Sequence, residues 1–297
     1  MIKNNKYLIL FGNVISLLSI FYLLKTITQT NSFSSLSEVV FLLNNPTSIF
    51  VIGILVLFGT MSGIFLATPL YLFIKNLSRK KIIYSKILFL FFDSNLAKYI
   101  PGNVFHYVKR QTNAKLHLNI AHIQMAKASL NETIAFISSF FMMTIIVLAL
   151  HFGLIYFIIV LTVFIALILL KDNSSFLLYS KSIFSFSIFH LIQSMIFICI
   201  LSLILPTSIH LNHNDITLLI IVFTISNLVG FVTPGSPGGI GVREVLMYEG
   251  FNFINSNIQL IDFNNQLILG LLIMRLINII SDCIQYIIVS IFLKPRG

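Results

Sequence analysis

Apolar runs long enough to cross a lipid bilayer recur from one end of this 297-residue chain to the other. Apolar residues make up 57% of the chain and charged residues only 9%, against roughly 25% charged in an ordinary soluble domain. A bilayer core of ~30 Å needs about 20 apolar residues for each helical span, and the mean hydropathy of +0.98 fits many such spans. The sequence therefore predicts an all-α, polytopic helical membrane protein that forms one integral membrane domain over residues 1–297.

The apolar runs predict seven spans, at about residues 7–27, 48–74, 121–150, 153–170, 183–205, 216–233 and 267–293. If residues 240–262 also crossed the membrane, the number would be eight and the C-terminus would return to the cytoplasmic side. The sequence leaves both numbers open. The two halves, about 1–150 and 171–293, each contain a segment broken by Pro and Gly. Such paired interruptions predict a transporter-like pseudo-repeat with the substrate site between its halves.

Positive charge lies mainly beside the predicted spans. The formal net charge is +10, and five cations fall within the twelve residues 75–86. Because cytoplasmic loops are rich in Lys and Arg, this loop and the N-terminus, with Lys3 and Lys6, are predicted to be cytoplasmic. The predicted partners are membrane lipids, either with anionic head groups or as lipid-linked glycans, and not nucleic acid. Contacts with other membrane proteins or with further copies of the chain remain open.

The segment 230–244, GFVTPGSPGGIGVRE, contains two prolines and five glycines, so it must interrupt the preceding helix. Broken backbone at membrane depth is tolerated where it is buried in protein or lines a watery cavity, and a re-entrant segment with breaks at Pro234 and Pro237 is predicted. The helix that follows would start with free backbone N–H groups, which attract anions. A tight turn that merely brings helices close is the alternative. The predicted substrate-binding residues here are Gly238, Gly239, Gly241, Arg243 and Glu244.

A second break is predicted within residues 87–112, ILFLFFDSNLAKYIPGNVFHYVKRQT. Its apolar part ends after six residues at Asp93, which is too short to span, and Pro101-Gly102 separates two short helices. Basic residues flank the segment on both sides, as expected for a re-entrant or interfacial hairpin on the cytoplasmic face. Lys98 and Arg110 are predicted to contact substrate, and the other cations to act as interfacial anchors.

Charged residues inside the apolar runs are further candidates. Arg275 lies in the last predicted span, with Asp282 on the same helical face, and an unpaired Arg there would cost about 2.5–3.5 kcal/mol. It could form a structural pair with Asp282, or meet a lipid phosphate through its bidentate guanidinium. Glu132 could balance Arg275 or Arg243 or contact a cationic head group. Its alternative is a carboxylate near the inner end of a span, paired with Lys127 or solvated.

Motifs for enzymatic chemistry are weak. The sequence His210-x-x-His213-x-Asp215 lies in a short loop with no fourth ligand nearby, so no metal site is predicted. No G-x-S-x-G, nucleotide or P-loop motif is visible, and Cys199 and Cys283 lack the CxxC spacing. We therefore predict no catalytic residues and no cofactor, and consider enzymatic activity uncertain and less expected than transport.

The segment Pro234-Gly-Ser-Pro237-Gly238-Gly239-Ile-Gly241-Val-Arg243-Glu244 resembles the signature of the lysylphosphatidylglycerol synthase transmembrane-region family. These are flippase-like membrane proteins typified by the N-terminal half of the multiple peptide resistance factor. Weaker similarities follow the family order at residues 96–104, at Asn131-Glu132 and at Met274-Arg275-Leu276. Thr133, Phe136 and His106 depart from the family pattern. The resemblance covers residues 5–293 and implies the translocation half without the soluble aminoacyl-transferring domain.

The function expected from the residues and the resemblance is translocation of a phospholipid or lipid-linked intermediate across the bacterial inner membrane. Broken helices and intramembrane arginines would hold the anionic head group while the acyl chains stay in lipid. The alternative is a membrane-embedded transferase, or an accessory factor in cell-surface polysaccharide or lipid biosynthesis. An enzyme would need a general base, for which Asp93 and His106 are the candidates.

Overall fold

The computed structural model describes residues 44–78, 81–99, 105–153, 155–156, 158, 162, 174–205, 211–233, 239, 241–254 and 260–293. The first predicted span and the predicted break residues Pro101, Gly102, Pro234 and Pro237, together with Gly238, lie outside them. Regular structure in the described residues is helical, without strands. The α-helices are α1 (Pro46–Ser78), α2 (Tyr84–Asn95), α3 (Phe105–Leu118), α4 (His122–Phe152), α5 (Ser174–Ile204), α6 (His213–Val232), α7 (Val242–Ile254) and α8 (Leu260–Phe292), and a 3₁₀ turn at Leu96–Tyr99 follows α2.

Five of the described helices, α1, α4, α5, α6 and α8, are long and apolar enough to cross a membrane. They overlap the spans predicted at about 48–74, 121–150, 183–205, 216–233 and 267–293. The helical class is thus confirmed, and the five candidate spans support a membrane protein. The total of seven or eight spans and the two re-entrant segments stay predictions, because the residues on which they depend lie largely outside the described part.

The remaining helices are too short to span a bilayer. α2, α3 and α7 contain 12, 14 and 13 residues, which at 1.5 Å per residue gives about 18–21 Å against a core of ~30 Å. α2 nevertheless carries the apolar run Phe89–Phe92, and every side chain of that run is buried in the protein. Five of the charged residues discussed below lie in these short helices: Asp93, Lys109, Arg110, Arg243 and Glu244.

The chain divides into two compact units. The first takes the described residues of Met1–Gly59, Tyr99–Asn103 and Gln193–Ser281, and the second those of Thr60–Lys98, Val104–Ile192 and Asp282–Gly297. α1, α5 and α8 each contribute residues to both units. This division by packing leaves the predicted single domain and the pseudo-repeat at 1–150 and 171–293 as predictions.

The first unit packs aromatic side chains and glycines between helices. Phe197 of α5 stacks on Phe223 of α6 with ring centroids 4.8 Å apart, and Phe251 of α7 stacks on Phe263 of α8 at 4.7 Å. α6 packs against α7, where a Cβ on Gly250 would lie only 2.9 Å from a methyl of Val222. Small residues at such contacts let membrane helices approach closely, so the packing of α7 on α6 depends on a residue without a side chain.

The second unit has a continuous apolar core built from α1, α2, α3, α4, α5 and the C-terminal part of α8. Its buried side chains include Phe73, Leu90, Met125 and Phe186. Polar side chains also join its helices: Ser185 Oγ donates to the Phe65 carbonyl over 2.8 Å, and Gln285 Nε2 to the Thr60 carbonyl over 2.9 Å. α3 packs between α2 and α4 in this unit, and it brings a row of cations to the end of α2.

Candidate functional site

The turn before α7 is built on glycine. Gly239 and Gly241 have φ values of 75° and 85°, in the left-handed region that other residues rarely adopt. The sequence pattern at this point therefore reflects a backbone requirement. The turn leads directly into α7 at Val242, so that Arg243 and Glu244 lie in the first turn of the helix.

Glu244 and Arg275 form a closed group around this turn in the first unit. One Glu244 oxygen, Oε2, accepts the Gly241 N–H over 2.8 Å, and the other, Oε1, accepts from Arg275 Nε. Arg275 Nη2 also donates to the Gly239 carbonyl over 3.2 Å. Glu244 thus occupies the helix N-terminus as the acidic residue of a capping box does. The Gly241 N–H, which we expected to be free for a ligand, is occupied by this internal carboxylate.

Arg243 lies beside this group but is not neutralised by it. Its guanidinium Nε is buried and has no hydrogen-bond acceptor among the described residues. Burial, and then the charge of Arg275, lower the pKa of Arg243 to about 10 against the opposing effects of Glu244 and Tyr99, so that it remains a cation at neutral pH. Two guanidinium groups and one carboxylate leave this cluster with one net positive charge.

Two glycines make the slot that holds the Arg243 side chain. A Cβ on Gly230, in α6, would overlap the Cγ of Arg243, and a Cβ on Gly239 would lie 2.5 Å from its Nε. The stem of Arg243 therefore runs against bare backbone on two sides. Gly230 was not among the predicted site residues. The sequence feature that could have identified Gly230 is its position at the start of the glycine-rich segment.

Three ion pairs, in contrast, join charged residues of the second unit. Arg110 Nη1 donates to Glu132 Oε2 over 2.8 Å, and Lys98 Nζ lies 2.7 Å from Asp282 Oδ2. Asp93 is 3.0 Å from Lys109 Nζ. Glu132 was expected to balance Arg275 or Arg243, or to pair with Lys127, and its partner here is Arg110. Asp282 was considered as the partner of Arg275, and it binds Lys98.

Three consecutive residues at the end of α2 organise these pairs. Asp93 Oδ2 accepts from Asn113 Nδ2 over 2.6 Å, Ser94 Oγ accepts from Arg110 Nε over 3.3 Å, and Asn95 Nδ2 donates to Asp282 Oδ1 over 2.8 Å. Ser94 and Asn95 were missed in the sequence analysis. The polar triplet that ends the buried run ILFLFF is the signal that could have found them, since buried polar side chains need partners.

His106, in α3, is buried close to the positive charges of Arg110 and Lys98. Burial, and then the positive charges of Arg110 and Lys98, lower its pKa from 6.5 to about 3. Its Nδ1 is buried without a hydrogen-bond partner in the described part of the chain. Asp93, the other candidate base, receives hydrogen bonds from Asn113 and an ion pair from Lys109. In the described part of the chain, His106 and Asp93 are therefore not joined to each other as an acid–base pair.

The predicted site residues thus fall into two groups. Gly239, Gly241, Glu244 and Arg275 are joined by hydrogen bonds in the first unit, with Arg243 against them, while Lys98, Arg110 and Glu132 belong to the ion pairs of the second. No protein-family model, curated protein or solved structure matches this chain. Its place in the lysylphosphatidylglycerol synthase transmembrane-region family remains a prediction from the motifs.

Proposed function

We propose that this protein is a translocase that moves a phospholipid or lipid-linked intermediate between the leaflets of the bacterial inner membrane. The observation that carries the proposal is the net positive charge of the cluster formed by Arg243, Glu244 and Arg275. In a helical membrane protein such a charge is costly without an anion to balance it. The phosphate of a lipid head group is an anion that the membrane itself supplies.

The elements around Arg243 fit this proposal. α7 is too short to span, and it is flanked in the chain by α6 and α8, which are long and apolar enough to do so. A head group at the start of α7 would have a guanidinium to bind, while the acyl chains of the lipid stay beside apolar helices. Arginine suits this role because its planar guanidinium can donate two parallel hydrogen bonds to a phosphate.

No nucleotide-binding motif occurs in the sequence, so the proposal does not include direct use of ATP. Movement down a lipid gradient, coupling to an ion gradient and coupling to a partner protein are all consistent with it. Its minimal form is an exchange of lipid between leaflets that is faster with the protein than without it.

Leaflet exchange of fluorescent phospholipid in proteoliposomes tests the proposal. Wild-type protein should accelerate exchange well above that of protein-free vesicles. Arg243→Gln should reduce the protein-dependent rate at least tenfold at equal incorporation. Lys127→Gln removes the same charge from an exposed position in the second unit, and should exchange lipid like wild type. A wild-type rate equal to that of empty vesicles would contradict the proposal.

A further inference from the structure

The two arginines of the first unit have different surroundings, and these assign them different roles. Both oxygens of Glu244 are engaged, one by Arg275 and one by the Gly241 N–H. Arg275 also binds the Gly239 carbonyl, so it ties the turn before α7 to α8. This pair is internally neutral and its hydrogen bonds join parts of the protein. Arg275 is therefore a positioning residue, and the cation left for a ligand is Arg243.

The glycine slot fixes the conformation of the Arg243 side chain before any ligand binds. Gly230 and Gly239 leave room for the side chain and press backbone against its stem. A side chain whose rotamer is already fixed loses little entropy on binding, which favours affinity and geometric selectivity. The Nε lies inside the slot and lacks an acceptor among the described residues, so the contacts of Arg243 with the described part of the protein leave its charge without a hydrogen-bonded counter-ion.

The charges near Arg243 limit what the rest of the ligand can be. A zwitterionic head group carries an ammonium beside its phosphate, and burying that ammonium would call for a free carboxylate. Among the described residues, the acidic group that acts on Arg243 is Glu244, and both its oxygens are in use. The adjoining residues 234–240 contain no acidic residue in the sequence. Within the described residues, the site therefore offers one positive charge and no free carboxylate for an ammonium.

We propose that Arg243 binds the phosphodiester of a lipid whose head group carries a net negative charge, and that the site discriminates against zwitterionic lipids with the same phosphate. Arg275 and Glu244 position the turn, and Gly230 and Gly239 position the guanidinium. This inference rests on the proposed function, because it names the lipid class that the translocase would accept.

Equilibrium binding to the purified full-length protein tests this selectivity. The probes are fluorescent phosphatidylglycerol and phosphatidylcholine with identical acyl chains, which differ in net charge but share the phosphodiester. Wild type should bind the anionic probe at least tenfold more tightly than the zwitterionic probe. Arg243→Gln should bring the two affinities within twofold of each other, and Lys127→Gln should keep the wild-type ratio. Equal affinities in wild type, or a preserved ratio in folded Arg243→Gln, would overturn the proposal.

Two further arms complete the test. Arg243→Lys retains the charge but loses the bidentate geometry, so it should keep only a few-fold preference for the anionic probe. If Arg243→Gln does not fold, Arg243→Lys decides the test, because an unchanged preference in this variant would overturn the proposal. Inorganic phosphate should displace the anionic probe only weakly, and phosphate binding as tight as that of the lipid would show that the ligand is the free ion. Anionic selectivity without leaflet exchange would contradict the proposed function and leave this inference intact. Leaflet exchange without anionic selectivity would support the proposed function and overturn this inference.

Discussion

At the scale of single residues, Glu244 and Arg243 are neighbours in the chain with opposite situations. The Glu244 carboxylate is buried and has both oxygens satisfied, by a backbone N–H and by Arg275. The Arg243 Nε is buried and unsatisfied within the described residues. A buried donor without a partner costs free energy, and natural proteins keep such local conflicts mainly at functional sites. The contrast predicts that the two arginines respond differently to substitution.

Arg275→Gln should lower the free energy of unfolding by about 3–5 kcal/mol, because it removes the guanidinium that is hydrogen-bonded to the buried Glu244 carboxylate. The double variant Arg275→Gln/Glu244→Gln should recover part of this loss, which a double-mutant cycle in detergent micelles would measure. Arg243→Gln leaves no carboxylate without a hydrogen-bond partner, so it should leave the free energy of unfolding unchanged or raise it. Strictly additive effects of the Arg275 and Glu244 substitutions would contradict this account.

His106 predicts a pH dependence of stability. Its pKa is about 3 in the folded protein, against 6.5 as the ordinary value. As the pH falls below 6.5 the unfolded chain takes up a proton that the folded chain does not bind, so stability decreases towards pH 3. His106→Gln should therefore lose less stability than wild type when thermal unfolding is compared at about pH 7.5 and pH 5, above the usual range of carboxylate titration. His213→Gln, at an exposed position, should behave like wild type; equal slopes in all three proteins would disprove the assignment.

At the scale of secondary structure, the last turn of α2 connects three ion pairs that differ in burial. The side chains of Arg110 and Glu132 are 3% and 11% exposed, those of Lys98 and Asp282 are 27% and 9%, and those of Lys109 and Asp93 are 42% and 15%. The cost of removing one partner rises as the remaining charge is further removed from water. The three pairs should therefore contribute to stability in that order.

Removal of each carboxylate by its amide analogue tests this order. Glu132→Gln leaves the buried Arg110 uncompensated and should cost about 3–5 kcal/mol. Asp93→Asn should cost about 0.2–1 kcal/mol, as for an exposed pair, and Asp282→Asn should lie between them. Denaturant titration of the three variants under identical conditions gives the order. A cost for Asp93→Asn as large as that for Glu132→Gln would show that burial does not govern these pairs.

The approach of α6 to the start of α7 depends on Gly230. Gly230→Ala places a Cβ where the Arg243 side chain runs, so it should cost about 1–3 kcal/mol by overpacking and displace the guanidinium. Lipid exchange should fall with it. Gly53→Ala is the matched control, because nothing lies within 4 Å of a Cβ at Gly53. Full activity of Gly230→Ala would show that the slot does not position Arg243.

At the scale of the whole molecule, the sequence predicted the helices better than it predicted their partners. Apolar runs locate the spans because length and hydropathy are properties of each helix alone, and α1 at Pro46–Ser78 matches the span predicted at 48–74. The glycine turn and Arg275 were both recognised, and the structure brings them together. The pairs Arg110–Glu132 and Lys98–Asp282 were not foreseen, because helical periodicity gives the face of a residue but not which distant side chain meets it. Gly230 was missed because its role follows from the rotamer of Arg243.

The predicted orientation in the membrane can be tested with single cysteines. In a background with Cys199 and Cys283 replaced by Ser, Lys81→Cys should react with a membrane-impermeant maleimide in inverted vesicles and not in intact spheroplasts. Asn214→Cys, in the first turn of α6, should show the opposite pattern, since the loop before it lacks Lys and Arg. Both positions are exposed. Labelling of both cysteines from the same side would contradict the predicted topology.

The central claim is that an unneutralised Arg243 holds an anionic head group during translocation, and leaflet exchange of fluorescent phosphatidylglycerol tests it most directly. The rate should be high for wild type and Lys127→Gln, and at least tenfold lower for Arg243→Gln at equal incorporation and equal thermal stability. An Arg243→Gln rate equal to that of wild type would contradict the claim.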